Sequence, residues 1–262
     1  MGCRAPSHNR IFPGWPLITP RQIDFPDGAA VAVEVTDGED LPSAVDLLGL
    51  QRPRPTVVVV GGAGGLDDAD IEGLRPIFVS GIVPGLERHR AAVVDGGTLA
   101  GVMQLCGETR AALSASFPLV GVVAAGTVQL SGRPAPPDGA ALEPRHSHFV
   151  IVPGDTWGAE APWIAQTASV LAGTSPSITV LVNGGQIAFD DVERSVHAGR
   201  RVVVVAGSGR TADALAAAVD GAPSDERAQA LVASGLVNSV PLDQPAALAE
   251  LLEAVLGEQP AR

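Results

Sequence analysis

Lysine is absent from the 262 residues, and so is tyrosine; all 17 basic residues are arginines. The missing lysine removes whole mechanisms. A Walker-type phosphate loop needs a lysine on the phosphates. Schiff-base and pyridoxal chemistry need one as nucleophile, and a kinase fold needs its strand lysine. Aromatic residues make up only 3% of the chain, so a core must be built from Val, Leu, Ile and Ala. The two cysteines, Cys3 and Cys106, are too few for a disulfide or metal framework, and Cys106 falls in a helical pattern as a core residue. No run of about 18 apolar residues occurs, so no membrane helix is expected. Met1 to Pro20 lacks the apolar segment of a secretory leader, and Pro6 occupies the position where a myristoylation pattern needs Ser or Thr. A soluble, cytoplasmic protein is the expectation. The net charge of -12 argues against a nucleic-acid binder, which needs clustered cations. An anionic small molecule is still compatible with it, through backbone amides and one or two arginines.

What the chain has is glycine behind valine. Val57–Val60 runs into Gly61-Gly62-Ala63-Gly64-Gly65, and Ala91–Val94 into Asp95-Gly96-Gly97-Thr98. Ile178–Val182 runs into Asn183-Gly184-Gly185, and Val202–Val205 into Ala206-Gly207-Ser208-Gly209-Arg210. Val122–Ala125 leads more loosely into Gly126-Thr127. Glycine lets backbone amides approach a ligand, and a following helix aims its positive end at the same place. Several such turns on one sheet edge would line a shared crevice for a phosphate-bearing ligand. A single Gly-Gly turn serves geometry as readily as function, so the argument rests on their number. None fits the dinucleotide fingerprint with its downstream acid, so no nicotinamide or flavin site is indicated. In the last turn, Ser208 offers a hydroxyl and Arg210 a fork of donors, and Asp213 suits a helix cap or a ribose hydroxyl.

The rest of the pattern alternates strands and helices. Strands are expected near 30–35, 57–60, 91–94, 117–123, 147–152, 178–182, 202–205 and 236–240. Helices are expected over 43–48, 67–74, 83–89, 98–113, 160–172, 187–197, 211–219, 225–234 and 246–256. Continuous apolar strands in such alternation imply an α/β, Rossmann-like, doubly wound and mainly parallel sheet with helices on both faces. Residues 1–29 read as an irregular N-terminal extension with a short strand at 22–25, and 30–262 as one domain. Residues 129–144, rich in proline, form an excursion from the sheet. His146-Ser147-His148 opens a strand; with no other clustered Cys or His, no metal site is assigned, and a hydrogen-bonding role for the histidines is expected. Trp157 and Trp163 flank the loop 154–158 and are candidates for core packing or for stacking on a base.

Taken in order, Val57–Ala63, Val94-Asp95-Gly96-Gly97-Thr98-Leu99-Ala100-Gly101-Val102-Met103, Leu142–Phe149 with its His-Ser-His-Phe, Val182–Gly185, and Gly207-Ser208-Gly209-Arg210-Thr211-Ala212-Asp213 resemble a known pattern. It is the cytosolic N-terminal homology region of melastatin-type TRP channels, and more closely the prokaryotic LSDAT branch of the SLOG superfamily. The similarity spans roughly residues 30 to 220. It implies a pocket for a nucleotide or nucleotide derivative, such as an ADP-ribose-like molecule, in a domain that senses ligand without known chemistry. The site it implies comprises Gly61, Gly62, Ala63, Gly64, Gly96, Gly97, Thr98, Gly101, Val102, His148, Gly184, Gly185, Gly207, Ser208, Gly209, Arg210 and Thr211, with no catalytic residue, metal or resident cofactor. A homo-oligomer is compatible with it, and it names no downstream partner. The alternative is a nucleoside 5′-monophosphate phosphoribohydrolase of LOG type, a branch of the same superfamily. Those enzymes carry Pro-Gly-Gly-x-Gly-Thr-x-x-Glu. Here Asp95 stands in the proline position and Glu108 lies too far along the helix to fill the acid's slot. Ligand sensing is therefore the preferred expectation.

Overall fold

The computed structural model describes residues 18–258. Their nine strands form one sheet in the order β1-β2-β6-β5-β4-β3-β7-β8-β9. The strands are β1 (Arg21–Phe25), β2 (Gly28–Glu34), β3 (Thr56–Gly61), β4 (Ala92–Asp95), β5 (Leu119–Ala124), β6 (His148–Val152), β7 (Ser177–Val182), β8 (Arg201–Ala206) and β9 (Val237–Pro241). Only β1 is antiparallel, paired with β2. The helices are α1 (Leu41–Leu47), α2 (Asp68–Pro76), α3 (Val83–His89), α4 (Gly101–Ala112), α5 (Ala161–Ala172), α6 (Gln186–His197), α7 (Arg210–Val219), α8 (Glu226–Val232) and α9 (Pro245–Leu256). Cys3 and Gly2 lie outside the described residues.

The valine runs explain the two covered faces. Side chains alternate along a strand, so Val58 and Val60 enter one core with α1, α5, α6, α7 and α8. Val57 and Val59 enter the other with α2, α3, α4 and α9. Crossovers toward β6 carry α2, α3 and α4; those toward β9 carry α5, α6, α7 and α8. Right-handed crossovers running in opposite directions must lie on opposite faces. The reversal falls between β3 and β7, where an open α/β sheet leaves a crevice at its carboxyl ends.

The short strand expected at 22–25 is β1, and it joins the sheet because Ile23 and Phe25 alternate onto a third apolar cluster with Phe149, Ile151 and Val123. One element departs from the expected pattern. The expected helices 67–74 and 83–89 are joined by a π-helical stretch, Ile77–Ile82, into one helical run. Pro76, which has no N–H to give, stands where the register widens. The excursion has a packing role as well. Val128, Leu130 and Leu142 cover the part of the sheet that no helix reaches.

Gly101 sits at φ +50, and a Cβ there would lie 1.9 Å from the Gly62 carbonyl oxygen. Gly64 has open space around it. Gly101→Ala is expected to lower unfolding free energy by roughly 3 kcal/mol, combining strain with overpacking. Gly64→Ala should stay within about 0.5 kcal/mol of the parent. Urea denaturation of the two variants checks both.

Candidate functional site

Three glycine turns meet at the sheet reversal. Gly61 ends β3 with no room for a side chain, since a Cβ would lie 2.5 Å from Val102. The Gly62 carbonyl accepts from the Val102 amide at 3.0 Å, which seats the first turn of α4 directly on β3. Across the reversal, Asn183 adopts φ +60 after β7. Its amide donates to Ser208 Oγ (2.8 Å), and its Nδ2 donates to the Ser208 carbonyl (2.7 Å). The Ser208 hydroxyl donates in turn to the Val205 carbonyl at 2.6 Å. The Thr211 amide donates to the Gly184 carbonyl and its hydroxyl to the Gly185 carbonyl. Asp213, in the first turn of α7, accepts from the Gly207 amide at 2.7 Å, which tightens the turn.

Arg210 joins the two sides. It stands at φ +53 at the start of α7, exposed, and its guanidinium donates to the Gly64 carbonyl at 3.0 Å. A Cβ on Gly185 would lie 2.9 Å from the same guanidinium, so the guanidinium lies directly against that turn. Ala63, Gly64 and Gly65 are exposed beside it. Asn183, 5% exposed, keeps its Oδ1 buried without a hydrogen-bond donor. That oxygen faces Gly62, where a Cβ would approach it to 2.7 Å.

The Gly96-Gly97-Thr98 turn is fixed differently. Asp95, at the end of β4, accepts from the Gly97 amide (2.8 Å) and from His146 Nε2 (2.8 Å). His146 Nδ1 donates to Glu143 at 2.9 Å. Glu143 also accepts from the backbone and guanidinium of Arg145. With a carboxylate on each ring nitrogen, both nitrogens must carry protons. Burial opposes that charge, but the Asp95 carboxylate and then Glu143 outweigh it, raising the His146 pKa to about 9. Burial likewise pushes Glu143 up, and His146 and Arg145 more than compensate, leaving it below its usual value. Glu143 fits against α4 only because residue 107 is glycine; a Cβ would sit 2.2 Å from its carboxylate. Cys106 is buried beside this network, its thiol pushed up by burial and by the two carboxylates.

The structure therefore gathers Gly61 to Gly64, Gly101, Val102, Gly184, Gly185 and Gly207 to Thr211 at one place, with Gly96 to Thr98 on the adjoining strand. It does not bring His148 there. His148 is the first residue of β6, so it lies toward the opposite edge, bonded to Ser147 Oγ. Burial, with Arg110 and Arg54 nearby, lowers its pKa to about 4. His146 precedes the strand, so the two histidines do not share a strand face. Trp163 packs against the core, whereas Trp157 is 45% exposed.

With this arrangement in view, likeness to known proteins is specific. The profile of the family described as "SLOG in TRPM, prokaryote" matches residues 54–250. The chain belongs to this family. Its match takes in every glycine turn described above. Transient receptor potential cation channel subfamily M member 2 of Mus musculus is 28% identical over 204 residues, covering 64% of this chain and 13% of the mouse protein. Its Rattus norvegicus counterpart is 27% identical over the same shares. The chain thus matches a small part of those channels. Among the described residues, no helix is long and apolar enough to cross a membrane. The molybdenum cofactor binding protein from Rippkaea orientalis covers 78% of this chain and 99% of its own, with TM-score 0.49 and 12% identity.

The SLOG chain's buried ion network predicts a pH dependence. His146 has a folded pKa of about 9 against about 6.5 unfolded. Its stabilising charge is fully present below pH 6.5 and is lost as pH rises through 9, a change on the order of 3 kcal/mol. His146→Gln should cost about 3–5 kcal/mol near neutral pH by leaving buried carboxylates uncompensated. It should also flatten the alkaline slope. Denaturant unfolding from pH 6 to 10 measures both.

Proposed function

We propose that this chain is a ligand-binding sensor domain for a nucleotide derivative, an ADP-ribose-like molecule, held at the reversal between β3 and β7. The observation that carries the reading is Arg210. An exposed guanidinium lies across the mouth of three converging glycine turns, held there by one neutral carbonyl. Phosphate oxygens are better acceptors than a carbonyl, because hydrogen bonds between charged partners are roughly twice as strong. Backbone turns that admit close approach, with one arginine and no lysine, suit a diphosphate better than a group needing several fixed charges.

The positions of the acids favour binding over hydrolysis. Asp95 is occupied by His146 and the Gly97 amide, and it is fully buried. Glu108 is paired with Arg75 at 3.3 Å and accepts from Gln104 at 2.8 Å on the flank of α4. Neither carboxylate stands free in the crevice to assist cleavage of an N-glycosidic bond.

Isothermal titration with ADP-ribose, cyclic ADP-ribose, AMP and NAD tests this reading. Binding of at least one is expected, and Arg210→Ala should weaken it roughly tenfold to a hundredfold, the loss of a charge-assisted contact of about 1.5–3 kcal/mol. No binding across the panel overturns the proposal. Release of free adenine from AMP at high protein concentration would replace sensing with LOG-type hydrolysis.

A further inference from the structure

A groove borders the Gly207 end of the Arg210 turn. Along the carboxyl ends of β8 and β9, this groove of about 550 Å³ opens between α2 and the turn leading into α9. Pro76 and Gly73 form the α2 wall; Pro241, Leu242 and Pro245 form the other. Gly207 belongs to the groove and also opens the turn that ends at Arg210. The two regions share Gly207. The Leu242 amide donates to the Ala206 carbonyl at 2.8 Å, fixing the groove wall to the end of β8. The Gly207 amide is held by Asp213 on α7.

The chemistry of this groove is unlike that of the turn. Three proline rings are rigid, carry no N–H, and present flat hydrocarbon faces. With Leu242 they make a surface that gains dispersion energy from a planar apolar group and loses little by shedding water. The lining carries one charged group, the Asp243 carboxylate. A carboxylate accepts from hydroxyl or amino donors and repels phosphate. Anionic groups are thus directed to the Arg210 end and an uncharged ring to this one. Such division, mostly apolar with a single orienting polar group, is the usual make-up of a small-molecule site.

We infer that this groove is the base subsite of the crevice, taking the planar heterocycle of a nucleotide whose phosphates lie at Arg210. The inference rests on the function proposed above and narrows it: the ligand must carry a nucleobase, and a sugar phosphate alone is a poor substitute. The Asp243 carboxylate accepts from an exocyclic amine, which favours adenine-type donors over a bare phosphosugar.

Gly73 provides the test. It lies within α2 on the groove wall, and a Cβ there meets nothing within 4 Å. Leucine is a better helix former than glycine, so Gly73→Leu keeps the fold while filling the groove. Calorimetry compares AMP with ribose 5-phosphate on both proteins, with the unfolding midpoint measured alongside. The parent is expected to bind AMP at least tenfold tighter than ribose 5-phosphate. Gly73→Leu should weaken AMP tenfold or more, leave ribose 5-phosphate within twofold, and unfold no earlier than the parent. Equal affinity of the parent for the two ligands, or an unchanged AMP affinity in Gly73→Leu, overturns the base subsite while leaving nucleotide binding intact. Failure of the parent to bind AMP, ADP-ribose or ribose 5-phosphate overturns the functional reading itself.

Discussion

The carboxyl end of β3 sets how closely backbone can meet backbone, and the architecture around the crevice follows from it. Gly61 lies under Val102, the Gly62 carbonyl receives the α4 amide, and Gly101 turns at φ +50 against that same carbonyl. Two of these contacts, at Gly61 and Gly101, tolerate no side chain, and the third is a backbone hydrogen bond. They pull α4 onto the sheet and thereby place the Gly96–Thr98 turn beside the Gly61–Gly65 turn. Some of the glycines that suggest a phosphate cradle are thus committed to helix–strand packing. Both uses are compatible, because the packing is what brings the exposed part of the loop, Ala63 to Gly65, to the mouth. The third glycine of a dinucleotide fingerprint serves the same kind of close helix–strand contact.

A second constraint acts one strand away. The expected wall of glycines after β4 is held rigid by an ion network with no exposed member among Asp95, His146 and Glu143. Burying three charges costs solvation that the mutual attraction only partly offsets. Its evident use is specificity of position. Asp95 fixes the Gly97 amide, the Gly97 carbonyl takes the Glu143 amide, and Thr98 pairs with Leu142. The excursion that covers the helix-free part of the sheet is thereby tied to the crevice wall. A proline at the Asp95 position could not make this connection, since it offers no carboxylate to the histidine.

Much of the fold was legible because valine-rich runs and glycine turns carry strong local signals. Strands β3 to β9 and helices α4 to α9 fall within a few residues of their expected limits, and a mainly parallel sheet covered on both faces follows from the alternation, whereas the strand order does not. What stayed hidden depends on tertiary contact. Nothing local to Ile77–Ile82 announces that two helices fuse through a π-helical stretch. Asp95, Glu143 and His146 are separated by as many as 51 positions, and only the fold makes them neighbours. The available hint was a lone acid ending a buried strand, together with a histidine pair that opens another. Asn183 was visible as part of a turn, but its orphaned Oδ1 is a property of packing against Gly62. His148 was grouped with the ligand residues through the resemblance, whereas its strand position sets it toward the other edge of the sheet.

The absence of lysine bears on how such a crevice would discriminate. A cluster of cations binds phosphate by charge and pays little attention to what else the ligand carries. Here one arginine spans the mouth, and it is already engaged with Gly64. Such a solvent-exposed bond to a neutral carbonyl contributes about 1 kcal/mol, so it orients the guanidinium without locking it. A phosphate that displaces that carbonyl gains one charge-assisted contact, and the rest of the ligand's binding energy must come from elsewhere. The apolar surface beyond Gly207 is where that energy is available.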